Sequence, residues 1–289
     1  MKHAYLILAH KDDTTFRTLI KMLDYKENDI FIHMDLKNKG YKPDVIEKMI
    51  KYSNIYHIKR KKVSWGGYSF VDAEIRLLEA ATNNGEYEYY HLISGEDLPI
   101  KTQAYIHNFF HSNSGHEFIR FERENFQYEY RIKYYYWLQN LLGRNENKIG
   151  SILRKISINL QKICKINRNK DIKFQKGTNW FSITDGFARY VVQKKEWIKK
   201  VFKYTYIGDE IFMQTIIISS KFKNNLYWKK FDNNTQAIMR LIDWNRGNPY
   251  VFTIDDYEEI KNSNMLFARK FQANVDEEII LRIYEDFKL

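Results

Sequence analysis

The sequence predicts an α/β fold with a mostly parallel central sheet, helices on both faces and one basic helical insertion. Three observations carry that prediction. Short apolar runs alternate with stretches of helical periodicity through residues 1–124, a polar residue closes most of the apolar runs, and the alternation breaks at a Lys/Arg-rich segment, 131–176, before resuming at Gly177.

In order, residues 4–9 read as a first strand ended by His10, 15–23 as a helix, and 29–35 as a second strand ended by Asp35. Strand, helix, strand is a βαβ unit. A helical pattern over 44–52 leads to a third strand at 54–58. After Trp65-Gly-Gly67 a strongly periodic helix covers 69–82, and 87–93 is a fourth strand ending in Ser94-Gly-Glu-Asp-Leu-Pro99. In parallel sheets ligands bind beyond the carboxyl ends of the strands, which makes His10, Asp35, Trp65 and the 94–97 turn candidate ligand residues. Each has a plainer reading as a loop polar residue.

The insertion holds twelve Lys/Arg between Arg131 and Lys176 against Glu146 and Asp171. Ile149, Ile152, Leu153, Ile156, Leu160, Ile163 and Ile166 recur at helical spacing among Lys148, Arg154, Lys155 and Lys162, a basic amphipathic helix. Two readings stay open: a helix packed on the core with a solvated basic face, or contact with anionic lipid. Beyond it, Gly177-Thr-Asn-Trp-Phe181 opens a strand and 186–193 is a helix. Gly208-Asp-Glu210 then runs into an apolar helix with Asp209 as its cap. A strand at 237–242, the loop Asp243-Trp-Asn-Arg246, an acidic turn at 255–260 and Leu266-Phe-Ala-Arg-Lys-Phe271 complete the chain. Glu210, rigid in a first helical turn, can accept a proton from a substrate hydroxyl, although acidic residues also occur there to complement the helix dipole.

Composition narrows the partners. Aromatics make up 16% of the 289 residues, with 22 Tyr, which suits stacking on sugars or nucleobases. A net charge of +11 and pI near 9.3 predict an anionic partner: nucleic acid, an acidic membrane surface or a phosphorylated small molecule. No nucleic-acid module is recognisable. The single Cys164 excludes an internal disulfide, no Cys/His cluster has zinc spacing, and the apolar run near Met1 is too short for a signal peptide or a span, so a reducing, cytoplasmic setting is expected. There is no Gly-x-Gly-x-x-Gly after the first strand, no phosphate-binding Gly-x-x-x-x-Gly-Lys-Ser/Thr, no Gly-x-Ser-x-Gly and no Asp-x-Asp. A diphosphate would therefore need a partner other than a metal held by paired aspartates.

Taken together, Ala4-Tyr-Leu-Ile-Leu-Ala-His10, Ile32-His-Met-Asp35, Ser64-Trp-Gly-Gly67, Ser94-Gly-Glu-Asp-Leu-Pro-Ile-Lys-Thr102, Gly177-Thr-Asn-Trp-Phe181, Asp209-Glu210 and Leu266-Phe-Ala-Arg-Lys-Phe271 make the chain resemble the core-2/I-branching β1,6-N-acetylglucosaminyltransferase family, which includes peptide xylosyltransferases. The basic insertion lies outside that pattern, as does the membrane anchor that animal members carry, which suggests a compact bacterial relative. The resemblance implies a single GT-A-type domain over 1–289, with a nucleotide-binding half (1–124) and an acceptor and catalytic half (177–289). It implies an inverting transferase that needs no metal or other cofactor and moves a sugar, GlcNAc first, from a UDP-sugar to a hydroxyl of a glycan acceptor, such as a lipid-linked unit of a capsule or exopolysaccharide. Xylose, glucose or galactose as the sugar, or a non-catalytic carbohydrate-binding protein, are the alternatives. Glu210 would be the base. Lys270 with Arg246, or Arg269, would neutralise the diphosphate, and His10 and Asp35 would hold the nucleotide. Trp65, Asp97, Trp180 and Trp244 would line the sugars. The insertion would then serve peripheral contact at the inner face of a membrane.

Overall fold

A computed structural model, which describes residues 1–144 and 148–288, places four parallel strands at the centre of the chain: β1 (His3–Ala9), β2 (Asn28–Met34), β3 (Asn54–His57) and β4 (Tyr89–Ser94). Helices α1 (Thr14–Met22), α2 (Pro43–Glu47) and α3 (Tyr68–Asn84) make the crossovers that parallel pairing requires. Then follow β5 (Asp97–Pro99), α4 (Gln103–Ser112), β6 (Phe118–Phe121), α5 (Glu129–Lys133), α6 (Gln139–Leu142) and α7 (Lys148–Ile163). The last part contains β7 (Gly177–Thr184), α8 (Asp185–Gln193), α9 (Lys195–Phe202), α10 (Phe212–Ile218), β8 (Arg240–Ile242), α11 (Tyr257–Lys261), β9 (Phe267–Arg269) and α12 (Glu278–Phe287).

The main sheet runs β3-β2-β1-β4-β7-β6, with β7 antiparallel between β4 and β6; a small sheet, β5-β9-β8, lies beside it. The expected largely parallel sheet is thus present. Because side chains alternate along a strand, Tyr5, Ile7, Ile30 and Ile32 enter one core with α1, α4 and α12, while Leu6, Leu8 and Phe31 enter the other with α3 and α8. The strand order reverses between β1 and β4, and a ligand crevice is expected at that point.

Several elements differ from the sequence reading, each for a local reason. The helix expected over 44–52 stops at Glu47, since the buried Asp24 carboxylate accepts the backbone N–H groups of Lys51, Tyr52 and Ser53 at 2.7, 2.8 and 2.8 Å and holds them out of helical geometry. The strand expected over 237–242 begins as a 3₁₀ turn, Thr235–Ile238, because Asn234 caps it through the Gln236 N–H; three residues of strand remain. Asp209 caps nothing. Gly208–Glu210 is itself a 3₁₀ turn entered through Ile207 in the left-handed region (φ 51°), and α10 begins only at Phe212.

The small sheet is tied to the large one by Arg240. This fully buried guanidinium donates to the carbonyls of Leu92 on β4, Phe181 on β7 and Ile238, each at 2.9 Å, and lies over the Phe267 ring. Burial lowers it to about 10, which leaves it charged at neutral pH.

Helix α7 forms where its periodicity predicts, but its apolar stripe faces outward. Of the two readings open for it, packing of that stripe on the core is not what the fold contains.

Candidate active site

At the end of β1, His10 is exposed, and its backbone is joined to the end of β2 by the Asp35 N–H, which donates to the Ala9 carbonyl at 2.7 Å. Asp35 is buried: its carboxylate accepts from the N–H groups of Lys37 (2.9 Å) and Val63 (3.4 Å), fixing the turn that follows β2. Arg60 fastens the same turn through the carbonyls of Met34, Asp35 and Asn38. Together these residues form a shaped, backbone-rich rim beside the reversal in strand order.

Strands β5 and β9 lie beside the same strand ends, the Gly95 N–H donating to the Leu8 carbonyl at 3.0 Å. Their antiparallel register sets Asp97 opposite Arg269, and the Phe271 N–H donates to the Glu96 carbonyl at 2.9 Å, so two acids meet two cations in order. Lys270 Nζ lies 3.0 Å from Glu96 and Arg269 Nη1 lies 3.3 Å from Asp97. Burial would raise the Glu96 carboxyl, but Gln272 (2.8 Å) and Lys270 hold it below the usual carboxylate range, with His10 adding to the field. Lys11 is 3.7 Å from the same carboxylate. Lys11, Arg269 and Lys270 are thus gathered around Glu96 and Asp97 where β1 and β4 end.

Asp97 and Trp180 are not open walls. Asp97 is buried and accepts from the Ser94 N–H and hydroxyl at 2.9 and 2.8 Å, while Trp180 is buried with the Arg269 guanidinium stacked 4.3 Å from its ring centre. Both position Arg269. Trp65 and Trp244 do present their rings, at 43% and 45% exposure. Trp244 belongs to a loop that reaches Lys270, whose N–H donates to the Tyr250 carbonyl. Arg246, in that loop, is engaged by three carboxylates, those of Asp243, Asp256 and Glu259, and lies over the Tyr250 ring. Its contacts hold the loop together.

Glu210 occupies a second cluster, at the Gly177 end of β7. Its carboxylate lies 2.9 Å from Arg131 Nη1 and 3.4 Å from Lys176 Nζ, with 34% of the side chain exposed. Gly177 permits the arrangement. A Cβ there would stand 1.8 Å from the Arg120 carbonyl oxygen, so only glycine lets β7 close on β6 and carry Lys176 inward. The loop before Glu210 is set by the Trp65 turn: the Ile207 N–H donates to the Gly66 carbonyl at 2.8 Å, and Trp65 meets Tyr206 edge to face. Lys176 also binds Glu122 at 2.5 Å.

Beneath Glu210 lie two further carboxyls, Asp209 and Glu74 of α3, both buried. Burial first, then the Glu210 charge, pushes Asp209 up to about 7; burial and Asp209 push Glu74 well above the carboxylate range, with Asn179 of β7 beside it. Neither Glu74 oxygen nor Asp209 Oδ1 has a hydrogen-bond partner among the described residues. Both lie out of reach of solvent, which leaves Glu210 as the accessible acid of this cluster.

Arg131, Lys176, Glu74 and Arg240 were not singled out as site residues by sequence, and Glu96 entered only as part of the 94–97 turn. Arg131 and Lys176 are the two ends of the basic segment, and their adjacency to Gly177 and to the Tyr-rich 128–136 stretch was the available signal. Among the described residues no group of three or more His, Cys, Asp or Glu has a geometry that could hold a metal ion, and no helix is long and apolar enough to cross a membrane.

The family model described as Core-2/I-Branching enzyme matches residues 3–265. Xylosyltransferase oxt of Drosophila melanogaster is 22% identical over 293 residues, covering 92% of this chain and 31% of that protein. Xylosyltransferase 2 of Bos taurus is 21% identical over 296 residues, covering 96% and 32%. The chain thus spans about a third of the length of these curated relatives. Among solved structures, mouse xyloside xylosyltransferase 1 in its apo form aligns over 93% of this chain and 97% of that one, at 7% identity and a TM-score of 0.35.

Proposed function

The chain belongs to the Core-2/I-Branching enzyme family, and from that premise we propose that it is an inverting glycosyltransferase that moves a sugar from a UDP-sugar, UDP-GlcNAc first, to a hydroxyl of a glycan acceptor. The observation that carries this reading is the β5–β9 register. It sets Arg269 and Lys270 beside the ends of β1 and β4, at the reversal in strand order, which supports binding of the donor diphosphate there.

In the proposed reaction Glu210 takes the proton of the acceptor hydroxyl as its oxygen attacks C1 of the sugar. The new C1–O bond forms on the face opposite the leaving group, and the C1–O bond to UDP breaks with its electron pair on the diphosphate. Lys270 and Arg269 meet the charge that develops there. Glu96 gives up Lys270 to the diphosphate at little cost, because Gln272 and Lys11 still satisfy it. Asp97 and Trp180 hold the Arg269 guanidinium, which has few rotamers left to lose. His10 and the Asp35 turn take the uridine side, and Trp65 and Trp244 offer ring faces to the sugars. No residue in this scheme requires a metal. A lipid-linked unit of a surface polysaccharide is the acceptor class we propose.

Release of UDP across a panel that includes UDP-GlcNAc, UDP-xylose, UDP-glucose and UDP-galactose tests the reading, each with EDTA and then with magnesium or manganese. Turnover of one donor in EDTA is expected. Strict metal dependence would overturn the charge-neutralisation scheme, and failure to bind UDP at all would overturn the transferase reading.

A further inference from the structure

Helix α7 is amphipathic with the wrong side out for a globular helix. Ile149, Ile152, Leu153, Ile156, Leu160 and Ile163 form one stripe, each 49–76% exposed. The side turned to the protein is instead Gly150, Arg154, Ser157 and Gln161. Gln161 is buried, donating to the Tyr135 carbonyl at 3.0 Å and accepting from its N–H at 2.8 Å, and Arg154 lies over the Tyr206 ring. The helix is therefore docked by polar contacts, and its apolar face is left to something else. Trp137 (55% exposed) and Leu141 (83%) extend that face, and a groove of about 550 Å³ opens between α7 and residues 135–138.

Charge identifies the occupant. Lys148, Lys155 and Lys162 are spaced by seven, which places them in one exposed row along a flank of the stripe. The segment from Arg131 to Lys176 has twelve cations and two acids, so a second copy of the chain would bring like charge against like charge. A surface that combines a fluid apolar interior with anionic headgroups satisfies both halves of the pattern. We propose that α7 docks the protein on an anionic lipid bilayer, the helix lying in the plane of the interface with its isoleucine and leucine stripe among the acyl chains and the lysine row at the headgroups. The cluster around Glu210 would then stand close to the membrane, since Arg154 of α7 lies over the Tyr206 ring and the Tyr206 N–H donates to the carbonyl of Arg131, which pairs with Glu210.

Flotation with vesicles tests this without donor or acceptor, so its outcome is separate from that of the transferase reading. The full chain is expected to float at low salt with vesicles of phosphatidylcholine and phosphatidylglycerol and to remain in solution with phosphatidylcholine alone. The triple variant Ile152→Glu, Ile156→Glu, Leu160→Glu, on exposed positions, should keep its far-UV spectrum and melting temperature and lose flotation. Replacing Lys148, Lys155 and Lys162 by Gln should lower partitioning about fivefold per lysine. The proposal is overturned if the wild type does not float, if the triple Glu variant floats equally, or if the stripe proves to hold a dimer that this variant dissolves while vesicles bind nothing.

Discussion

Glu210 and Arg131 form an ion pair of 2.9 Å that joins the turn before α10 to the first residues of the basic insertion. The glutamate keeps one side open while two cations fix its other side. In the proposed role of base, Glu210 acts in the transition state and contributes little to holding the donor. Glu210→Gln should therefore lower kcat by about 10²–10⁴-fold while UDP affinity stays unchanged. Single-turnover transfer alongside titration with UDP separates the two. Equal loss of both would make Glu210 a structural residue.

The outer parts of this picture were legible in the sequence, and the inner parts were not. The strand ends at His10 and Asp35 followed from periodicity, while Lys270 entered only through the family resemblance. What escaped was set by pairing across the fold. Nothing local in Asp97 or Trp180 says that β5 and β9 will place Arg269 between them. Asp209 looks like a helix cap in sequence, yet it is buried within the electrostatic reach of Glu74, a residue far away in the chain. The α7 stripe shows the same limit: its period was readable, but which side faces the protein was decided by Gln161 and Tyr135.

Lys270 and Arg246, the two basic residues weighed for the proposed diphosphate site, make opposite predictions. Lys270 has one acid partner that can be satisfied by others, so Lys270→Ala should weaken UDP binding about tenfold or more, the worth of a charge-assisted hydrogen bond. Arg246 is held by three carboxylates, so Arg246→Ala should leave UDP affinity intact and lower the melting temperature by freeing buried Asp256. Calorimetric titration and thermal melts read both. A large loss of UDP affinity in the Arg246 variant would return it to the site.

The Glu74 and Asp209 pair predicts how stability varies with pH. Both acids titrate higher in the folded protein than in the unfolded chain, where they ionise near 4. Between those values the folded state binds more protons, so each group costs stability as pH rises, with a slope of about 1.4 kcal/mol per pH unit. Glu74→Gln keeps the shape and removes the proton. Its melting temperature relative to wild type should rise as pH climbs above the range where an ordinary glutamate ionises. A difference that is flat with pH would mean that Glu74 is not protonated in the fold.

Arg240 is the remaining test, because it supports the site without touching it. Its guanidinium satisfies three backbone carbonyls at the seam between the sheets and lies in the field of Asp97, whose carboxylate in turn positions Arg269. Arg240→Met fills most of the volume but strands those carbonyls and leaves Asp97 with one cation fewer. Removing one partner of a buried charged network costs about 3–5 kcal/mol, which urea unfolding at constant slope would read. Arg269 should loosen at the same time, so UDP affinity is expected to fall even at temperatures where the variant is fully folded. Loss of stability with unchanged UDP affinity would show that Asp97 holds Arg269 without help from the seam.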